Sequence, residues 1–410
     1  MSKKTAIIIV SVTFLLVFIA LIFFYFYYNT RTSGVLTPTD VTPDTYNPFG
    51  TAPDTVTGTP SQGTETPTNG EVATGRLRQI TNEPVAGQSL STQRGLPVVR
   101  YMERATGHLY ESALVSLEKR RLSNQTIPKV QEAIFDSTGN RVIIRYLDEA
   151  GQNIKTFLAT INIATSTTNA TDTGIDGVPL ADNILQVAIT PAGDKVFYLL
   201  KDAAGSTGYT TSWNGLNKTS IFTSPLTEWI IAWPETNRLV VTTKASGESV
   251  GYSYTFTPTN DTLEPLVGNI NALTTLYGRG GNLIYGDARR SDPKLYSYST
   301  VSKNLLTLSA NTLPEKCVWS RVSADKIYCA VPKTIPLGTY PDAWYQGLVS
   351  FTDRLWSFNT TSGEGTLLTD LETDFKLSAD VVELKVDNTD QYLIFTNKKD
   401  LTVWLYDLTE

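Results

Sequence analysis

The sequence predicts an all-β protein: a seven-bladed β-propeller of four-stranded antiparallel blades, preceded by one N-terminal transmembrane helix and a disordered stalk. Three observations carry this. From about Arg76 onward, short runs rich in Val, Ile, Tyr, Thr and Trp alternate with turn residues, and helical periodicity is nearly absent. A small or polar turn followed by an apolar strand recurs seven times, as RGLPVVRY, TGNRVIIRY, AGDKVFYLL, ETNRLVVTT, RGGNLIYGD, SADKIYCAV and NTDQYLIFT. Marked at Gly95, Asn140, Asp194, Asn237, Gly281, Asp325 and Asp390, these landmarks lie 45, 54, 43, 44, 44 and 65 residues apart. A period near 44 suits a four-stranded blade, and the two long intervals are one unit plus an insertion.

Within each unit an aromatic strand follows in most cases, as in GHLYESAL, PKLYSYST, DRLWSFNT and TVWLYDLT. A polar turn and a weaker strand such as KNLLTLS or GTLLTDL complete the meander. The last unit, from Val381, stops after its third strand at Leu408, whereas GRLRQIT near the start of the repeat region reads as a fourth strand with nothing before it. Residues 76–81 are therefore expected to close the last blade and cover its open edge, within a propeller of residues 76–410. A pair of β-sandwiches is the alternative, but it gives no reason for a steady period.

Ahead of the repeats, Ala6–Tyr28 is a run of 23 residues without a charge. At about 1.5 Å per residue it spans a hydrocarbon layer of roughly 30 Å. Lys3 and Lys4 precede it and only Arg31 follows closely. Residues 1–5 are thus expected in the cytoplasm and the bulk of the chain outside, in a single-pass topology. A cleaved signal peptide would be shorter and end in small residues. Residues 29–75 form the stalk: of 47 residues 14 are Thr, 6 Pro and 6 Gly, which cannot bury enough apolar surface to fold.

The composition excludes several chemistries. Net charge is −6, and the longest basic cluster in the body of the chain is Lys119–Arg121, which argues against nucleic acid. His108 is the only histidine, so multi-His metal sites are ruled out, and two cysteines cannot make a Cys₄ zinc site. No EF-hand-type loop is present, so neither a metal nor a cofactor is expected. Gly247-Glu-Ser249-Val-Gly251 matches the nucleophile-elbow pattern but lies between two strands with no histidine after it, so it reads as a turn. Ser323–Lys326 and Ser116–Lys119 match S-x-x-K in strand or turn contexts and read the same way. Around His108 no nucleophile and orienting acid can be named.

Cys317 and Cys329 flank the turn of the sixth unit. Facing each other across neighbouring strands they would form a disulfide, which oxidation outside the membrane permits; two buried thiols are the alternative. The insertion Pro332–Gly347 carries Tyr340, Trp344 and Tyr345 among prolines. Aromatic side chains on a loop make good binding anchors, so these three are the candidate contact residues; the alternative is a lid folded over its own blade. A second insertion, roughly 164–182, is rich in Thr, Asn and Asp.

The units TGNRVIIRYLDEAG, AGDKVFYLLKDAAGS and TDQYLIFTNKKDLTVWLYDL resemble the repeats of TolB-like β-propellers, relatives of the WD-repeat class. The turns depart from that family's Ser-Pro-Asp-Gly pattern, reading Asp136-Ser-Thr-Gly139, Thr190-Pro-Ala-Gly193 and Asp387-Asn-Thr-Asp390. The resemblance covers residues 76–410. It implies interaction surfaces on the two faces and along the axial channel, a bacterial envelope location, and no particular catalytic residues. The expected function is a membrane-anchored, non-catalytic scaffold binding a protein or an envelope glycan. The alternative is a hydrolase or lyase acting on glycan or peptide in the propeller cleft, whose expected mark is a cluster of carboxyls with raised pKa at one channel mouth.

Overall fold

A computed structural model describes residues 75–163, 174–288 and 292–409. The expected membrane span, residues 6–28, and the stalk up to residue 74 lie outside the described residues. No helix among the described residues is long and apolar enough to cross a membrane.

Among the described residues, twenty-eight strands form seven four-stranded antiparallel sheets. Blades one to six each use four consecutive strands. Their innermost strands are Val85–Gln93, Val130–Phe135, Gln186–Ile189, Trp229–Glu235, Thr274–Tyr277 and Cys317–Trp319. Blade seven begins with Val381–Val386 and takes its outermost strand, Leu77–Gln79, from the other end of the repeat region. Leu77 pairs with Tyr406 and Gln79 with Trp404. Beside that ladder, Arg78 and Asp407 make a buried ion pair at 3.2 Å.

The second strand of each blade explains why the repeat is so visible. It is covered on both faces by neighbouring blades, so it reads as a continuous apolar run rather than an alternating one. Val142, Ile143 and Ile144 of blade two all have zero exposure. Val142 and Ile144 pack with Met102 and Leu109 of blade one, whereas Ile143 packs with Val196 of blade three. Each such side chain contributes on the order of 1.5–3 kcal/mol by leaving water. The aromatic third strand has its own partner: Tyr101–Tyr110, Tyr198–Tyr209 and Tyr285–Tyr296 face each other directly across strands two and three of blades one, three and five. Their rings stack at 5.6, 5.6 and 5.0 Å.

The turns between first and second strands interlock around one face of the ring. Asp136 Oδ1 accepts from the backbone N–H groups of Asn140 and Arg141, and Asp387 Oδ1 does the same for Gln391 and Tyr392. Thr190 Oγ1 plays that part for Asp194 and Lys195. Basic residues then bridge to the next turn: Arg100 donates to the carbonyl of Gly139, and Arg141 to that of Gly193.

On the opposite face the insertion of blade six lies across the ends of blades four to seven. It contains one helical turn, α1 (Asp342–Tyr345). Tyr340, Trp344 and Phe351 pack against Ala272, Ala288 and Leu313, and Asp342 accepts a 2.7 Å hydrogen bond from the backbone of Gly247. A buried ion cluster holds it down. Lys316 Nζ lies 2.7 Å from Asp380 and 2.8 Å from Asp353, and the Trp344 indole N–H donates to Asp380.

Candidate functional site in the axial channel

At the face formed by the first-to-second-strand turns, the channel opens into a cavity of about 440 Å³. Each blade contributes an inner-strand residue: Leu90, Phe135, Ile189, Trp233, Leu276, Val318 and Lys385. Trp233, Tyr277 and Trp319 give it aromatic walls. The Trp319 indole packs flat on the backbone at Gly278, where a Cβ would come within 2.5 Å of the ring. Its N–H donates to the Leu276 carbonyl at 3.3 Å.

Two arginines stand at the mouth. The Arg279 guanidinium donates to the carbonyl of Arg321 at 2.8 Å. Arg321 directs its own guanidinium to no hydrogen-bond partner among the described residues. Arg321 is exposed; desolvation by the surrounding channel wall, and then the charge of Arg279, lower it, and the Asp390 carboxylate opposes them. The nearby carboxylates are already engaged. Asp390 accepts from the Arg321 backbone, Ser320 and Tyr328, and Asp136 accepts from its own turn.

Deeper in, the innermost strand of blade seven carries two ionisable groups. Glu383 and Leu384 bulge outward opposite the single residue Phe395, between the pairs Val382–Thr396 and Lys385–Ile394. Glu383 sits at φ 50°, the one non-glycine residue with a left-handed backbone within the seven inner strands. Strain of this kind concentrates where a side chain must be aimed. Burial pushes the Glu383 carboxyl up, against the pull of Lys385 and a hydrogen bond from Thr396. Burial pulls the Lys385 ammonium down, opposed by Glu383. Lys385 donates to the carbonyl of Gln88, and the Gln88 amide donates back to the Glu383 carbonyl at 2.8 Å. Glu383 is nevertheless exposed and Lys385 half-buried, so the throat holds an acid shifted upward and an amine shifted downward that both still reach solvent.

The residues singled out from sequence lie elsewhere. Tyr340 has zero exposure and Trp344 only 4 %, so their expected role as external contact residues is corrected: both are packing residues that seat the insertion. Tyr345 is partly exposed, but its hydroxyl donates to Glu315. Cys317 and Cys329 are paired at 2.10 Å, directly opposite each other across the first two strands of blade six. His108 lies half-buried beside Thr126 and Arg121 at the start of a third strand. Gly247–Gly251 forms a turn and the beginning of a strand, with no helix after it. No group of three or more His, Cys, Asp or Glu that could hold a metal ion occurs among the described residues.

No protein-family model matches the chain, and no curated protein sequence matches it. Solved structures do. An oligogalacturonate lyase in complex with manganese aligns at 10 % identity and TM-score 0.51, over 82 % of this chain and 93 % of its own. An oligogalacturonate lyase from Vibrio parahaemolyticus aligns at 8 % identity and TM-score 0.51, over 82 % and 94 %. A puromycin-hydrolysing peptidase from Mycobacterium tuberculosis aligns at 10 % identity and TM-score 0.50, over 78 % of this chain and 51 % of its own. At these identities the likeness defines the fold class, a β-propeller. It also corrects the expectation of a non-catalytic scaffold. That expectation treated the lack of a recognisable catalytic set as an argument against catalysis, yet two lyases share this architecture over nearly their whole length. The manganese of the first has no counterpart donor set among the described residues here.

Proposed function

We propose that the protein is an envelope glycan lyase working in the axial cavity. The observation that carries this reading is the bulge on the innermost strand of blade seven, which sets the Lys385 amine in the cavity lining and the Glu383 carboxyl two residues before it on the same strand. An amine shifted downward and an acid shifted upward are suited to general base and general acid work. In a β-elimination Lys385 takes the proton on the carbon next to a carboxylate. The electron pair becomes a C=C bond, the C–O bond on the adjacent carbon breaks, and Glu383 protonates the departing oxygen. Indole and phenol walls suit the faces of sugar rings. The mark expected from sequence was a cluster of carboxyls at one mouth; what the channel offers instead is one raised carboxyl beside one lowered ammonium.

In this reading residues 6–28 tether the chain to a bacterial cytoplasmic membrane, residues 29–75 provide reach, and the propeller works outside the cell. The turn-and-strand grammar supports kinship with TolB-like repeats. The test is to incubate the full-length protein in detergent with acidic and neutral oligosaccharides, following the ultraviolet absorbance of a new C=C bond. Absorbance that grows with the wild type and is absent with Lys385→Ala supports a lyase. New reducing ends without absorbance would make it a hydrolase, and no turnover of any glycan would sink the enzyme reading.

A further inference from the structure

We propose that the buried cluster of Lys316, Asp353 and Asp380 is a self-modification site, in which the Lys316 amine condenses with the Asp353 carboxyl to leave an isopeptide cross-link and Asp380 carries the protons. The inference stands apart from the lyase reading. It starts from three charged side chains with zero exposure. Lys316 Nζ lies 2.8 Å from Asp353 Oδ2 and 2.7 Å from Asp380 Oδ1. The Trp344 and Phe351 rings stand 5.1 and 5.2 Å from the same nitrogen. In such surroundings a neutral amine and a neutral acid gain on the ion pair. Holding the two groups in contact supplies the proximity that a condensation otherwise lacks.

The two carboxyls are held differently. Asp380 accepts from the Phe351 backbone, the Ser350 hydroxyl and the Trp344 indole. Burial raises it, but Lys316 and these bonds outweigh burial and keep it below the usual carboxylate range. Asp353 has one backbone donor, the Val381 N–H at 2.7 Å from Oδ2. Its Oδ1 is buried with no hydrogen-bond partner among the described residues. Burial pushes Asp353 up, against the pull of Lys316. An orphaned buried oxygen calls for a reason, and condensation gives one, because Oδ1 is the atom that leaves.

The Lys316 ammonium gives one proton to Asp380, and its lone pair forms the C–N bond at Asp353 Cγ. The C=O pair moves onto Oδ2, where the Val381 N–H stabilises the charge. Oδ1 already carries the acid proton. It receives a second from Asp380 and leaves as water while the pair on Oδ2 restores the C=O bond. Asp380 takes one more proton from the nitrogen and passes it to solvent. Ammonium and carboxylic acid have then become amide, water and one proton. The link joins the residue before the inner strand of blade six to the first residue of that blade's third strand. It closes a covalent loop around the whole insertion, and Asp380 keeps its charge and its bond to Trp344 before and after.

The test is a peptide map of the full-length protein in detergent, taken after the disulfide is reduced and the chain is unfolded and digested with trypsin. An acylated Lys316 blocks cleavage, so the expected product is residues 304–321 joined to residues 334–354, lighter by one water than the two linear peptides together. The intact mass should be one water below that of the sequence, and Lys316→Arg should restore the full mass. Asp353→Asn puts ammonia in the place of the leaving water, so its link should form with loss of ammonia. Asp380→Asn lacks the proton carrier and should lower the linked fraction roughly tenfold or more. Linear peptides 304–316 and 334–354 as the main wild-type products would overturn the proposal, as would a water lost within a linear peptide. A link that forms equally well in Asp380→Asn would overturn the role given to Asp380. If the variants fail to fold, the wild-type map alone decides.

Discussion

Lys316 Nζ lies 2.7 Å from Asp380 Oδ1 with both side chains fully buried, and Trp344 of the insertion donates its indole N–H to the same carboxylate. The lid is thus fastened through a charge rather than through apolar contact alone. Removing one partner strands the others. Lys316→Met is expected to cost about 3–5 kcal/mol, because Asp353 and Asp380 would be left buried without their cation. Urea unfolding followed by tryptophan fluorescence measures it; a loss under 1 kcal/mol would mean that the carboxylates simply take up protons.

Acid sensitivity follows from the same carboxylate. Burial raises Asp380, but Lys316 and the hydrogen bonds from Phe351 and Trp344 outweigh it and hold the group below the usual carboxylate range. The unfolded chain therefore binds that proton more readily, so this contribution is present above the unfolded pKa and is lost as pH falls through the folded one. Asp353, raised by burial, works in the opposite sense. Stability measured against pH should show an acid limb that flattens in Asp380→Asn.

Gly247 receives the insertion at close range. A Cβ there would lie 2.4 Å from Thr339 Cγ2 and 2.7 Å from the Tyr340 carbonyl oxygen. Gly247→Ala is expected to lift the loop and cost about 1–3 kcal/mol. Faster amide exchange across residues 338–346, with the blades unchanged, is the readout; unchanged exchange would show that the loop is held from blade seven alone.

The disulfide closes a short loop, with Cys317 and Cys329 separated by 12 positions in sequence. Reduction or Cys317→Ser is expected to cost roughly 2–3 kcal/mol. A melting temperature that stays put when reductant is added would show that the bridge contributes nothing to stability.

The throat pair predicts a bell-shaped dependence of turnover on pH. Rate rises as Lys385 loses its proton and falls as Glu383 loses its own. A substrate whose leaving group needs no proton should rescue Glu383→Gln and leave Lys385→Ala inactive. Equal rescue of both would remove Lys385 as the base.

The fold was legible because packing writes itself into the sequence. Second strands such as RVIIRYL are sandwiched between blades, so their apolar runs recur with the blade period. The site was much less so. Glu383 and Lys385 lie in VVELKV, which reads as an ordinary alternating strand; their placement depends on a bulge and on six other blades closing around them. Arg279 and Arg321 left one trace, a separation of 42 residues that nearly matches the blade period. The aromatic insertion misled for a simple reason: composition marks Tyr340 and Trp344 as anchors, but not whether the surface they anchor to belongs to the same chain.

The closing strand has a mechanical side. Leu77 lies at the mouth-side rim and Gln79 further toward the far face, so the outermost strand of blade seven is entered from the outer rim of the mouth-side face. Tension on that strand would load a three-residue ladder, the Arg78–Asp407 pair and the hydrogen bond from Arg78 to the Leu114 carbonyl of blade one. A pull from the N-terminal side would therefore peel open the ring at blade seven, the blade that carries Lys385 and Glu383.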